Sequence, residues 1–101
     1  MDYADPEIGR KLKTKLDELS AELNVGYHGV KFRHTGYRLQ IELHLLLPYQ
    51  TELGDAHEIA TRIERDLKEG LGQPAEVVTH LESVEDHGKV HESTHQSRLP
   101  L

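Results

Sequence analysis

His80 and Glu82 stand two residues apart in the segment "AEVVTHLE". On a strand, residues i and i+2 leave the same face, so an imidazole nitrogen and a carboxylate oxygen would project side by side. His44 lies in a second apolar run, "IELHLLL", and His57 follows in "GDAHEIA"; His28 opens "HGVKFRH". Neutral imidazole and carboxylate together suit Zn²⁺ and other borderline divalent ions, and a carboxylate has two oxygens with which to bridge two ions. A single strand histidine is ordinarily a surface or hydrogen-bonded residue, and one H-x-E pair is a weak signal. What matters is whether the fold brings several of these groups to one place. Donors are abundant, with eight histidines and 18 carboxylates in 101 residues.

Composition removes other chemistries. The chain has no cysteine, hence no disulfide, thiolate metal site or thiol nucleophile. No G-x-S-x-G is present, and the glycines do not form a phosphate loop. A zinc hydrolase would need three protein ligands, a water and a deep pocket, which a small domain hardly provides; the expectation is that the protein is not an enzyme. Its formal charge is −6 and no basic face stands out, which argues against nucleic acid as a partner. No run of about 18 apolar residues occurs, and "MDYADPEIGR" lacks the basic-then-apolar pattern of a secretory signal. A cytoplasmic protein without direct membrane insertion is expected.

Five elements must position the candidate ligands. Residues 5–23 read as a helix, with Asp5 as N-cap, Pro6 in the first turn, and Ile8, Leu12, Leu16, Leu19 and Leu23 as one apolar stripe. "NVGYHG" interrupts it. Residues 28–34 alternate as a strand, "HTGYR" is a turn signal at Gly36, and residues 37–47 form the clearest strand. There Tyr37, Leu39, Ile41, Leu43, Leu45 and Leu47 point one way; Arg38, Gln40, Glu42, His44 and Leu46 point the other. Thr51 is the expected N-cap of a second helix over 52–70, with Leu53, Ala56, Ala60, Ile63 and Leu67 on its apolar stripe and Gly70 and Gly72 stopping it. Residues 75–82 are the third strand, with Val77, Thr79 and Leu81 on one face and Val78, His80 and Glu82 on the other.

The order α-β-β-α-β, with one apolar stripe per helix, predicts an α+β, ferredoxin-like (metallochaperone-like) sandwich: a three-stranded sheet with two helices on one face. The other face is uncovered and would carry Gln40, Glu42, His44, Leu46, Val78, His80 and Glu82, a mixture that suggests a homodimer. The expected organisation is an N-terminal extension over 1–4, one domain over 5–82, and a flexible tail over 83–101. In the tail His87, His91 and His95 recur every four residues, a helical ligand spacing, but Gly88 and the polar composition oppose a stable helix.

The stretch "YHGVKFRHTGYRLQIELHLLLPYQTELGDAHEIATRIERDLKEGLGQPAEVVTHLE" resembles the cytoplasmic C-terminal domain of cation diffusion facilitator transporters, the resemblance covering about residues 5–82. In bacterial zinc-exporting members this domain binds zinc through a histidine before the first strand, one in the second strand, one at the start of the second helix, and a histidine-x-aspartate pair in the last strand. The matching positions here are His28, His44, His57, His80 and Glu82, with glutamate where aspartate is usual. The resemblance implies a homodimeric protein that binds Zn²⁺, or another divalent transition metal, in metal sensing, buffering or delivery. It also implies a membrane cation transporter as a partner. The alternative is a metal-independent dimerisation or docking module for such a transporter. With no transmembrane domain, a natural stand-alone protein or an excised domain would each fit; Met1 and the histidine-bearing end favour the former.

Overall fold

The computed structural model describes residues 5–85. The elements are α1 (Pro6–Leu23), β1 (Gly26–Thr35), β2 (Arg38–Leu47), α2 (Leu53–Leu71) and β3 (Ala75–Ser83), the predicted α-β-β-α-β order. The strands form one mixed sheet in the order β1-β2-β3, with β2 antiparallel to β1 and parallel to β3. A parallel pair needs a long crossover, which α2 supplies.

Asp5 caps α1 as predicted: its carboxylate accepts from the backbone N–H of Glu7 at 3.1 Å and of Ile8 at 3.4 Å. The helix ends at Asn24, whose left-handed φ of 58° reverses the chain into β1. Gly36 and Tyr37 form a two-residue hairpin turn between the paired Thr35 and Arg38. Only Gly36, the first central residue, has a positive φ, the pattern of a type II′ turn.

The core is one cluster. Leu39, Ile41, Leu43, Leu45 and Leu47 of β2 are buried together with Ile8, Leu12, Leu16 and Leu19 of α1 and Ala56, Ala60, Ile63, Leu67 and Leu71 of α2. Every odd residue of β2 therefore faces the helices, and every even one faces away. Both helices lie on one side of the sheet, as their single stripes require.

Several local expectations are corrected. β1 begins at Gly26, so His28 lies inside the strand. Tyr37 belongs to the turn and is 80% exposed, because two turn residues stand outside the ladder. Glu52, not Thr51, is the N-cap of α2, and it makes no side-chain capping bond. Leu53 is 80% exposed, since it opens the helix ahead of the buried stripe that starts at Ala56. That stripe continues through Gly70 to Leu71, and the left-handed Gly72 (φ 68°) is the stop. Ser83 closes β3, and the Glu85 carboxylate accepts from the Tyr49 N–H at 2.9 Å. The rest of the expected tail, with His87, His91 and His95, lies outside the described residues.

Candidate metal centre

Sheet register sets three histidines in a row. His28 of β1 pairs with His44 of β2, which pairs with His80 of β3. Since the odd residues of β2 hold the core, His44 projects from the open face, and its two partners project with it. The rings stack across the sheet, with centroids 4.9 Å apart for His28–His44 and 4.8 Å for His44–His80.

His28 reaches this face only because β1 is irregular. Regular alternation back from Phe32 and Val30, which pack on the core, would turn His28 toward the helices. Instead the register steps from Lys31↔Glu42 to His28↔His44, placing one extra residue in β1. This is a β-bulge with Gly29 in the left-handed region at φ 65°. A Cβ at Gly29 would meet the His44 ring at 3.0 Å, so the bulge also needs glycine for space.

Glu82 ties the row together. His28 Nε2 donates to Glu82 Oε1 at 2.9 Å, and His44 Nδ1 lies 3.1 Å from Glu82 Oε2. The second contact lacks hydrogen-bond alignment, and His44 Nδ1 is buried without a hydrogen-bond partner. A buried polar nitrogen left unsatisfied is costly. One donor atom from each of His28, His44 and Glu82 falls within 4.8 Å of the others. Tetrahedral ligands about 2.0–2.2 Å from an ion sit roughly 3.3–3.6 Å from one another, so small side-chain adjustments would suffice. Two imidazoles and a carboxylate, one member orphaned, fit a borderline divalent ion.

His80 is engaged elsewhere. Its Nε2 lies 2.6 Å from Glu42 Oε2. That hydrogen bond, with the charges of His80, Lys31 and His44 adding to it, holds the Glu42 carboxyl below its ordinary range. Lys31 is the cross-strand partner of Glu42.

Three of the five sequence-derived candidates, His28, His44 and Glu82, therefore converge. His80 is adjacent but bonded to Glu42, and His57 is exposed on α2, outside the cluster. For Glu42 the sequence pattern predicts only a place on the uncovered face. The H-x-E alternation was visible in β3, but which β2 carboxylate His80 would reach depends on strand register.

A family described as "Cation efflux protein, cytoplasmic domain" matches residues 5–84. Among solved structures, CzrB in its Zn form superposes with a TM-score of 0.74 at 25% identity, over 85% of this chain and 97% of that one. The metal-bound C-terminal domain of the CzcD transporter from Thermotoga maritima gives 0.70 at 21%, over 83% and 95%. The C-terminal domain of the magnetosome protein MamB from Desulfamplus magnetovallimortis BW-1 gives 0.68 at 16%, over 74% and 94%. Among curated proteins, none matches the sequence significantly. No described helix is long and apolar enough to cross a membrane. With the family match spanning nearly all the described residues and the same fold in its solved relatives, this chain belongs to the family of cytoplasmic domains of cation efflux proteins.

Proposed function

We propose that this domain binds a divalent transition ion of the zinc class on its open sheet face, as a homodimer, and serves metal sensing, buffering or delivery beside a cation transporter. The observation that carries the reading is the convergence of His28, His44 and Glu82 on one point, with His44 Nδ1 buried and lacking a hydrogen-bond partner. The metal-bound and Zn forms of related domains support it. His28 and His44 would supply nitrogen and Glu82 oxygen; His80 and His57, the other expected ligands, stand outside this set. A bound ion would supply positive charge that neutralises Glu82 and a link across all three strands. The residues themselves do the rest. β2 fixes His44 from the core side, the Gly29 bulge turns His28 to the same face, and Glu82 reaches back along β3 to both.

Part of the open face is apolar. Val78 of β3 is half-exposed on it. Such a surface suits a second copy of the chain, whose position an ion at the strand ends would bias. Isothermal titration of metal-stripped protein with Zn²⁺ tests the reading. Binding is expected for the wild type and is expected to be lost in His44→Ala and in Glu82→Ala. Undiminished binding in both variants would sink it, and a dimer indifferent to zinc would favour the metal-independent docking module. Binding should also weaken in mildly acidic solution, where protons and the ion compete for the same imidazole nitrogens.

A further inference from the structure

We propose that Glu42 is a latch on His80: its carboxylate competes with a bound divalent ion for the His80 imidazole, and so sets how readily His80 joins His28, His44 and Glu82 as a fourth protein ligand. The inference rests on the metal-binding reading above.

Geometry sets the hydrogen bond of His80 to Glu42 against ligation through the same nitrogen. Its ring stacks on His44 with centroids 4.8 Å apart, one ring away from the candidate ligand set. Yet the donor atoms that gather within 4.8 Å belong to His28, His44 and Glu82, and no His80 nitrogen is among them. The orientation in which Glu42 holds the ring is therefore not a ligating one. A carboxylate only accepts, so His80 Nε2 carries the proton of the 2.6 Å hydrogen bond. That nitrogen cannot donate to Glu42 and offer a lone pair to an ion at once. For His80 to ligate through Nε2, the bond must open and the neutral ring must exchange protons with solvent to its other tautomer, with Nδ1 protonated and the Nε2 lone pair free.

Glu42 has somewhere to go when it lets His80 go. Lys31 stands directly across from it on β1, on the same open face, and its charge already acts on the Glu42 carboxyl. The exchange swaps a histidine partner for a lysine one at an exposed position, so neither state strands a buried charge. His44 and His28 instead share Glu82 within the ligand set itself. Glu42 thus tunes affinity without belonging to that set, and it is a positioning residue rather than a ligand.

Zn²⁺ titration of metal-stripped Glu42→Thr, His80→Ala and the double variant tests the latch. Glu42→Thr is expected to bind Zn²⁺ roughly two- to fivefold more tightly than wild type, the scale of an exposed charged pair. His80→Ala is expected to weaken binding, and adding Glu42→Thr to it to bring no gain. Glu42→Gln, which keeps the shape with a weaker acceptor, should shift binding the same way by less, and it decides the matter if Glu42→Thr fails to fold. In the wild type, nitrogen-detected NMR of His80 should show Nε2 lose its proton as Zn²⁺ is added. Unchanged or weaker binding in the Glu42 variants would mean that Glu42 orients His80 for ligation or ligates itself, and overturns the latch. So does a gain that persists without His80. Wild-type protein that takes up no Zn²⁺, or His44→Ala that binds as wild type does, overturns the underlying site instead.

Discussion

Gly29 carries no side chain, yet the candidate site depends on it. It absorbs a φ of 65° and leaves room for the His44 ring, which a Cβ would meet at 3.0 Å. Gly29→Ala should therefore cost about 1–2 kcal/mol of stability from the left-handed backbone. It should also weaken Zn²⁺ binding, because the bulge is what turns His28 toward Glu82. Urea denaturation and zinc titration of the variant check both effects. A loss of stability with intact zinc binding would separate the bulge from the site. Glu82 shows the opposite economy: one carboxylate touches two histidines from two other strands. The longer side chain of glutamate suits this reach, since Glu82 pairs in register with Leu46 and must lean back along the sheet to His44.

At the scale of the element, each helix does two jobs, burying a stripe and fixing where a strand begins. α1 is held at its start by the Asp5 cap and at its end by the left-handed Asn24, which hands the chain to β1 two residues before His28 enters the ladder. Asp5→Ala should cost about 1 kcal/mol, measurable as a lower urea midpoint with zinc affinity unchanged, because the cap is far along the chain from the site. β2 is the central strand in both senses. Its odd residues make the core and its even residues make the open face, so a slip of one residue would bury His44 and expose the leucines. The fully buried Leu39, Leu43 and Leu45 make that slip costly, and in this way the core fixes the orientation of the candidate ligand.

Across the whole molecule, polar links join what the core packs. The Tyr27 hydroxyl donates to Asp17 at 2.6 Å, tying β1 to α1, and Arg62 of α2 reaches Glu22 of α1 at 2.7 Å while also holding Asp66 at 2.9 Å. The Tyr27 hydrogen bond, then that from Lys13, lowers the Asp17 carboxyl below its ordinary range; the hydrogen bond from Arg62 does the same for Asp66, with Arg65 adding to it. Both carboxyls are thus more acidic folded than unfolded. Their contribution to stability is complete above about pH 4, the unfolded value, and is lost as the pH falls through the lower folded values. Urea midpoints should accordingly drop below pH 4, and Asp66→Asn should show a shallower drop than wild type between pH 4 and pH 3. An equal drop in the variant would assign the acid sensitivity to other groups.

Alternation along residues 37–47 and the two helical stripes were enough to determine the order of elements, the side of the sheet that the helices cover, and the face on which His44, His80 and Glu82 stand. These are local patterns, since side-chain direction repeats every two residues on a strand and every 3.6 on a helix. The family resemblance was legible for the same reason, being carried by residues at set spacings within those elements. Periodicity could not show the β1 bulge, because a bulge breaks the period and strict alternation would have turned His28 to the core. Nor could it show that His80 would bond Glu42 while Glu82 passed its paired Leu46 to reach two histidines. Those choices were made by register between strands far apart in the chain and by the reach of individual side chains across the sheet, and only the tertiary structure decided them.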